Sequence, residues 1–584
     1  MVHLTINNIK VNAENGMTIL EAAQSIGISI PTLCHLKDLT PTGACRFCVV
    51  EVEGQRSLLP SCAFPVYEGM VVDTNSPRVR RARKTIIELL VENHPQDCLV
   101  CVRNKNCELQ DMAARYGVRE HRYAGETKTH AIDISSASIE RDPAKCLLCG
   151  RCVRVCHEVQ KIGAIDISNR GFASIVTTPY NKGINISECI LCGQCILVCP
   201  TAALREKSYL KEVTNALNNK NKYTIVQVAP AVRATIGEEY GLPLGTDVTG
   251  KLVAALRRLG FKKVFDTNFA ADLTIMEEAS ELVDRIKNNK PLPMFTSCCP
   301  GWVKYAESNS PAILNNLSTC KSPHEMEGAV LKTYYAKKMG INPDDIFVVS
   351  IMPCTVKKYE ASRSELSENA MLDVDAVLST RELVRFLNIA GIKFNDLAEE
   401  KFDNPLGEST GAAAIFGTSG GVMEAALRTA YFNLTGKNLN KIEFTEVRGI
   451  KGIKSASINI NDLKLNVAVV NGIGNIKEII SEIEEGISKY HFIEVMACPG
   501  GCVNGGGQPI HSKPEKIQKR VKALYEIDNE MQKRFSHENE SVKILYTEFL
   551  IKPGSHTAHK ILHTIYFNKS RKNIGIREVK EEVF

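Results

Sequence analysis

Two adjacent cysteines, Cys298 and Cys299, lie in the stretch Thr-Ser-Cys-Cys-Pro-Gly-Trp at 296–302. The apolar run Pro291 to Phe295 before them reads as the end of a buried strand, and Pro300 and Gly301 turn the backbone away. Consecutive side chains leave an extended chain on opposite faces, so one thiol is expected to ligate a metal and the other to do something else. Met-Pro-Cys-Thr at 352–355 follows the β-rich run Ile346 to Ile351, and Met-Ala-Cys-Pro-Gly-Gly-Cys at 496–502 follows His491 to Val495. Each strand delivers cysteine to its C-terminal end, where open α/β sheets place their ligand crevices. Cys299, Cys354, Cys498 and Cys502 would then supply four thiolates to one site, the ligand set of a 4Fe-4S cluster. The plainer alternative is a group of buried free cysteines near strand ends.

Residues 138–208 carry the strongest spacing. Cys146, Cys149, Cys152 and Cys156 repeat as Cys189, Cys192, Cys195 and Cys199, each as C-x2-C-x2-C-x3-C, with Pro200 after the second run and His157 after the first. In this two-cluster ferredoxin pattern the fourth cysteine of each run ligates the other cluster. One cluster is expected on Cys146, Cys149, Cys152 and Cys199, the other on Cys189, Cys192, Cys195 and Cys156. Cys34, Cys45, Cys48 and Cys62 sit among short predicted strands and resemble a 2Fe-2S site with a longer first gap than the plant type; zinc is the alternative. His94, Cys98, Cys101 and Cys107 fit a structural zinc site equally well by spacing alone. These sets use nineteen of the twenty-one cysteines. Cys298 and Cys320 are left over, the latter most simply a small buried residue.

The elements around these residues change along the chain. Residues 1–78 read as strands at His3 to Ile9, Val49 to Glu53 and Met70 to Asp73 around a helix at Ile19 to Ile26, and Arg78 to Glu92 as an amphipathic helix. From 209 the order is Tyr223 to Ala229 (strand), Val248 to Leu259 (helix), Lys263 to Asp266 (strand) and Asp272 to Lys287 (helix), which predicts a parallel sheet covered on both faces. A similar order from Ala412 predicts a second lobe, with a strand at Ala412 to Phe416 and close packing at Gly417, Gly420 and Gly421. A short helix at Ala558 to Phe567 precedes the charged tail 568–584. On the helix Asp272 to Lys287, Glu278, Glu281 and Arg285 share one face. That face reads either as a buried carboxylate stripe or as a solvated surface with an ordinary ion pair.

At 584 residues the chain holds several domains. The formal charge of +6 ignores liganding thiolates and does not argue for nucleic acid. The basic run Arg78 to Lys84 reads as a steering patch for an acidic electron carrier or as a solvated helix face. No apolar run approaches membrane-spanning length and no secretory signal precedes the cysteines, so metal ligands in a reducing cytoplasm are expected rather than disulfides.

The three motifs around Cys299, Cys354, Cys498 and Cys502 resemble the signatures of the FeFe-hydrogenases, and the resemblance runs over essentially the whole chain. It implies a multidomain α+β and α/β protein: a 2Fe-2S ferredoxin-like (β-grasp) domain at 1–78, a His-Cys 4Fe-4S domain at 79–125, a two-cluster ferredoxin domain at 138–208 and a two-lobed α/β H-cluster domain at 209–567. The implied cofactors are one 2Fe-2S cluster, three accessory 4Fe-4S clusters and the H-cluster. The last is a cubane held by Cys299, Cys354, Cys498 and Cys502, joined through Cys502 to a two-iron unit with carbon monoxide, cyanide and aza-dithiolate. The implied reaction is reversible oxidation of dihydrogen. Lys357 and the backbone at Ala229 and Pro230 would meet the cyanides, and Pro323, Met352, Phe416 and Met496 would wall the unit. Cys298, Glu278, Ser318, Glu281 and Arg285 match the family's proton relay, Cys298 being apt because a free thiol both donates and accepts.

Two other contexts compete: a non-catalytic iron-sulfur electron-transfer or assembly protein, and a stand-alone ferredoxin-dependent hydrogenase. The intact set Cys298, Cys299, Cys354, Cys498, Cys502 and Lys357 argues against the first. Pro41 to Gly54 looks more like the NAD(P)-linked, electron-bifurcating members, which favours an assembly with ferredoxin, a flavin/NAD(P)-binding subunit and a small iron-sulfur subunit. Maturation proteins would insert the two-iron unit. Gly472 and Gly474 lack the third glycine of a dinucleotide fingerprint, so any NAD(P) reaction needs a partner.

Overall fold

The computed structural model describes residues 1–570 apart from 124, 368–370, 440–442, 451, 461–462 and 511–512, so the tail lies outside the described residues from 571 onward. Two units are present: Met1–Cys189 with Val198–Arg205, and Ile190–Leu197 with the chain from Glu206. The segment holding Cys192 and Cys195 therefore packs with the larger unit, although it interrupts the smaller one in sequence.

In the smaller unit a five-stranded sheet runs Ile9–Ala13, Val2–Ile6, Val71–Asp73, Val49–Val52, Leu59–Pro60. The single strand predicted at His3 to Ile9 is instead a hairpin. Asn7 and Asn8 take φ of 49° and 65°, left-handed values that asparagine tolerates and a two-residue hairpin turn requires. Helix Ile19–Ser25 starts at a capping box between Thr18 and Glu21 and buries Ile19, Leu20, Ala22 and Ala23. Helix Pro77–Glu92 is capped by Ser76. In its basic run Arg78, Arg80, Arg81 and Lys84 are exposed, Arg78 donating to the Arg56 carbonyl and to Glu51, while Arg83 is buried and donates to the Val49 carbonyl at 2.8 Å.

The larger unit has two sheets. The first, Lys263–Asp266, Tyr223–Val228, Ile346–Met352 and Ala376–Ser379, is parallel throughout and almost wholly buried, as sheets covered on both faces are. The second runs Met294–Phe295, Phe492–Met496, Leu463–Asn471, Ile453–Ile460 and is not all parallel, because its last two strands form an antiparallel hairpin. The strand expected at Ala412 to Phe416 is helical, an α turn at Gly411–Ala414 followed by a 3-10 turn at Ile415–Gly417. Small residues let this turn press against its neighbours: a Cβ at Gly417 would meet Leu524 at 2.5 Å, and one at Gly421 would meet the Ile415 carbonyl at 1.8 Å. The long helix begins at Thr267, five residues before the expected start, where the Asp266 side chain accepts the Asn268 N–H, and it runs to Lys287.

Among the described residues the last helix is His556–Leu562, shorter than predicted. It stops because the following backbone pairs with another segment: Lys321 N–H donates to the Leu562 carbonyl and Thr564 N–H to the Thr319 carbonyl, each at 2.8 Å. Buried polar contacts fix the C-terminal segment. Arg428 meets Asp528 at 2.9 Å and Glu424 at 2.7 Å, Asn539 donates to Asp272 at 2.9 Å, and Arg520 meets Glu238 at 2.7 Å. Removing one partner of such a buried ion pair costs about 3–5 kcal/mol, since the other charge is left without water or counter-ion.

Candidate active site and cluster cradles

Three strands of the larger unit end on cysteine. Met294–Phe295 leads to Cys298 and Cys299 at the start of helix Pro300–Asn309, Ile346–Met352 leads to Cys354, and Phe492–Met496 leads to Cys498 and Cys502. All five cysteines line one cavity, with Ala229, Pro230, Pro323, Met352, Lys357, Phe416 and Met496. Every residue expected around the two-iron unit is thus on its wall. Glycines let the loops close: a Cβ at Gly505 would come within 2.3 Å of the Pro353 carbonyl, and one at Gly501 within 2.6 Å of the Ser419 nitrogen.

Burial pushes the Cys502 thiol up to about 12, with Cys299 adding to it, and pushes Cys498 and Cys354 up as well, the thiols reinforcing one another. Four such thiols are costly as bare anions and suit a cationic iron cluster, whose binding displaces their protons. This donor set fits a cubane.

Lys357 is buried, donates to the Cys298 carbonyl at 3.2 Å and meets Glu360 at 2.7 Å. Burial works against its charge, but Glu360 outweighs it and the ammonium pKa is raised. Glu360 in turn touches His324 Nε2 at 2.7 Å, and Glu325 lies 3.0 Å from the same nitrogen. His324, Glu325 and Glu360 escaped the sequence reading, because segments separated in sequence bring them together.

The face carrying Glu278, Glu281 and Arg285 is buried. Glu278 is 0% exposed and neither carboxyl oxygen has a hydrogen-bond partner. Burial, then the charge of Glu281, raises its pKa to about 8, so it is mostly protonated at neutral pH. Ser318 Oγ donates to Glu281 Oε2 at 2.8 Å, and Arg285 Nη2 meets Glu281 Oε1 at 2.6 Å. Burial, followed by Glu278, raises the Cys298 thiol, so it stands as a neutral donor beside a protonated acid. Arg285 and Glu281 reach an open cleft that also holds Thr319, His559 and His563. The solvated-surface reading of this face does not hold. Cys320 is buried as expected, 3.9 Å from Glu281 Oε2.

The loop with Cys192 and Cys195 docks onto the ligand loops of the same unit. Thr355 Oγ1 donates to the Leu191 carbonyl and Gln194 Nε2 to the Asn504 carbonyl, each at 2.8 Å. The thiol of Cys498 feels the charge of Cys192.

The smaller unit gathers its own sets. The thiols of Cys34, Cys45, Cys48 and Cys62 are near enough to bond one another, Cys34 with Cys45 and Cys62, and Cys48 with Cys62. Cys146, Cys149, Cys152 and Cys199 line one cavity, so the last cysteine of the second run joins the first three of the first run. Burial lifts Cys146 to about 11 and Cys149 to about 12. His94 presents a buried Nδ1 without a hydrogen-bond partner, and burial, then Lys145, lowers its pKa, which leaves a neutral imidazole fit to bind metal. Burial raises Cys107, and the charge of Cys101 adds to it. Cys156 sits in a π-helical turn, Val155–Val159, that also carries His157.

Comparison with known proteins decides the family. The description "Iron only hydrogenase large subunit, C-terminal domain" matches residues 222–506. The NADP-reducing hydrogenase subunit HndD of Solidesulfovibrio fructosivorans is 50% identical over 583 residues, covering 98% of this chain and 100% of that protein. The chain belongs to the FeFe-hydrogenases. Iron hydrogenase 1 of Clostridium pasteurianum is 45% identical over 574 residues, 97% of this chain and 100% of its own length. A structure of the apo FeFe-hydrogenase HydA1 from Chlamydomonas reinhardtii superposes with a TM-score of 0.57 at 42% identity, covering 62% of this chain and all of that one. In this FeFe-hydrogenase a 2Fe-2S binding domain matches 1–77, the iron-sulfur binding region of NADH-ubiquinone oxidoreductase G matches 83–122, and a 4Fe-4S dicluster domain matches 145–203. An iron hydrogenase small-subunit description matches 514–569. The protein is therefore an oxidoreductase acting on hydrogen, of the multi-cluster type, with 2Fe-2S and 4Fe-4S clusters and an H-cluster. No helix among the described residues is long and apolar enough to cross a membrane.

Proposed function

We propose that this FeFe-hydrogenase oxidises dihydrogen reversibly at the cavity bounded by Cys299, Cys354, Cys498 and Cys502, and exchanges electrons with an NAD(P)-linked assembly. The observation that carries this reading is the convergence of five thiols and the Lys357 ammonium on one buried cavity. Cys299, Cys354, Cys498 and Cys502 would hold the cubane, Cys502 also bridging to a two-iron unit with carbon monoxide, cyanide and aza-dithiolate. When bound, that unit supplies an open iron position and a basic amine for splitting dihydrogen.

The chain's own residues do the rest. Lys357, kept charged by Glu360, offers a cation to an anionic ligand, and Met352, Phe416 and Met496 exclude water. Cys298 exchanges protons with Glu278, and Ser318, Glu281 and Arg285 carry them to the cleft. Ligand assignments follow the spacing together with the family resemblance, which alone decides the His-Cys set against zinc: 2Fe-2S on Cys34, Cys45, Cys48 and Cys62; 4Fe-4S on His94, Cys98, Cys101 and Cys107; and two crossed 4Fe-4S clusters on the ferredoxin runs, with domain limits as expected from the sequence. Imidazole ligation at His94 removes negative charge from its cluster and so tunes its potential. The loop of Cys192 and Cys195 is the electron entrance to the cubane, which the Thr355 and Gln194 bonds support.

The relative named as a subunit of an NADP-reducing hydrogenase, aligned over the whole length, supports coupling to NADP within an assembly. To this we add a flavin/NAD(P)-binding subunit, a small iron-sulfur subunit and ferredoxin as a second carrier in electron bifurcation, as the family resemblance implies. The thiol-rich chain suits the reducing cytoplasm, and maturation proteins would load the two-iron unit. The test is infrared spectroscopy of the anaerobically matured protein in the carbon monoxide and cyanide region, beside hydrogen evolution from a reduced artificial donor. Bands that shift under hydrogen, with turnover, are expected; their absence after competent maturation would return the chain to the electron-transfer or assembly class.

A further inference from the structure

The hydrogen bonds divide at Glu281. One branch is the Arg285 pair already described. On the other, Thr319 Oγ1 stands 3.3 Å from Glu281 Oε2 and 2.7 Å from His563 Nδ1. Across the ring, His563 Nε2 is 3.2 Å from Glu277 Oε2. Glu277 is buried and accepts from the Tyr546 hydroxyl at 2.6 Å and from the Gly554 N–H at 2.8 Å. Glu277, Glu281, Thr319 and His563 line the cleft, and His559, tilted 39° against His563 with ring centroids 4.1 Å apart, is exposed in it.

These contacts fix the direction of the chain. Both Glu277 oxygens already act as acceptors, so Nε2 of the neutral imidazole carries the hydrogen and donates to Glu277. Nδ1 is then a bare acceptor, and the single Thr319 hydroxyl hydrogen, within reach of Glu281 Oε2 at 3.3 Å and of Nδ1 at 2.7 Å, turns to Nδ1 when a proton arrives on Glu281, which leaves a Thr319 lone pair toward that carboxyl. A proton arriving on Glu281 has a continuous path: it moves to Thr319 Oγ1 as the Thr319 proton moves to Nδ1, and the Nε2 proton leaves to Glu277 or to water in the cleft. The starting tautomer returns when the ring turns its Nδ1–H to cleft water, which takes that proton while water returns one to Nε2. The same steps reversed bring a proton in.

We propose that His563 is a second proton outlet of the active site, working through Thr319 in parallel with the Arg285 branch. The proposal rests on the reading of Cys298, Glu278, Ser318 and Glu281 as the proton relay. It gives the segment that matches the hydrogenase small subunit a part in turnover, because that segment supplies both His563 and His559. The backbone pairing of His563 with Cys320 needs no imidazole, so substitution of the side chain leaves this join in place.

The test uses matured holoenzyme, with infrared bands of the H-cluster verifying loading in every variant. Hydrogen evolution is measured for His563→Gln, His563→Ala, Arg285→Gln, the double variant Arg285→Gln with His563→Gln, and Glu278→Gln. Parallel outlets predict about a threefold loss in either single variant and about tenfold further loss when His563→Gln is added to Arg285→Gln, within the usual reach of proton-transfer catalysis. Added imidazole should restore turnover in His563→Ala in proportion to its concentration, which a merely structural role would not do. If Glu278→Gln abolishes turnover while the double variant matches Arg285→Gln and imidazole has no effect, the outlet is wrong and the relay stands. If Glu278→Gln turns over normally, the relay reading fails and the outlet falls with it.

Discussion

Thr355 Oγ1 donates to the Leu191 carbonyl at 2.8 Å, which ties the residue after one proposed ligand, Cys354, to the residue before another, Cys192. Gly193 completes the contact. It holds φ of 71°, and a Cβ there would come within 2.5 Å of Thr355 Oγ1 and 2.9 Å of Gly506 Cα. Gly193→Ala should push the loop off its seat and slow electron delivery from the accessory clusters while leaving cubane assembly intact. Stopped-flow reduction of the H-cluster by an external donor checks this; an unchanged rate would mean that electrons enter elsewhere.

Glu278 should be a protonated acid at neutral pH. The infrared carbonyl band of a protonated carboxyl is expected in the resting enzyme, missing in Glu278→Gln, and fading as pH rises through about 8. The sign follows from burial: a folded pKa above the ordinary 4.5 means that stability from this group is fully present below 4.5 and lost as pH climbs through about 8. Glu278→Gln keeps the neutral shape without the labile proton, so turnover should fall by about 100-fold or more with little change in stability at neutral pH.

Glu360 keeps Lys357 charged. Replacement by Gln leaves a buried ammonium without its counter-ion, a loss of about 3–5 kcal/mol that thermal unfolding would register. In the parent the raised Lys357 pKa keeps the pair's stabilisation in place below 10.5 and loses it only as pH rises beyond that value. In the variant the largest effect opposing burial is gone, so the ammonium should deprotonate at lower pH and the alkaline limb of the activity profile should move down. A profile identical to the parent would remove Lys357 from the anion-binding role.

Iron removal should loosen the first domain. Cys34, Cys48 and Cys62 are buried, and without metal their crowded sulfurs bond chiefly one another. Hydrogen exchange in Val49–Val52 and Ile19–Ser25 is expected to quicken after chelation, because metal binding and folding are one equilibrium in such sites. Unchanged protection would show that the hydrophobic core alone holds this sheet.

The cavity's five thiols were legible in the sequence because each lies in a short motif whose residues act together, whereas its wall of Pro323, Met352, Phe416 and Met496 came from the family resemblance. The parallel sheet was legible too, since continuous apolar runs such as Tyr223–Val228 suit a strand buried on both faces. What escaped depends on distance along the chain. Thr319 and His563 are 244 residues apart and meet only because the last helix stops for a backbone bridge that no local pattern announces. The run Ala412 to Phe416 misled for another reason: its alanines fit a buried strand and a buried helical turn equally well, and tertiary packing chose the turn.

The buried contacts of Arg428 with Asp528, Asp272 with Asn539 and Glu238 with Arg520 join the C-terminal segment to the rest of the larger unit without any covalent help. A chain cut between Gly507 and Pro514 would therefore remain one particle. Proteolytic nicking at this junction should pass unnoticed on a native gel and show as two bands only in detergent, and the enzyme should tolerate being translated as two polypeptides that find each other after synthesis.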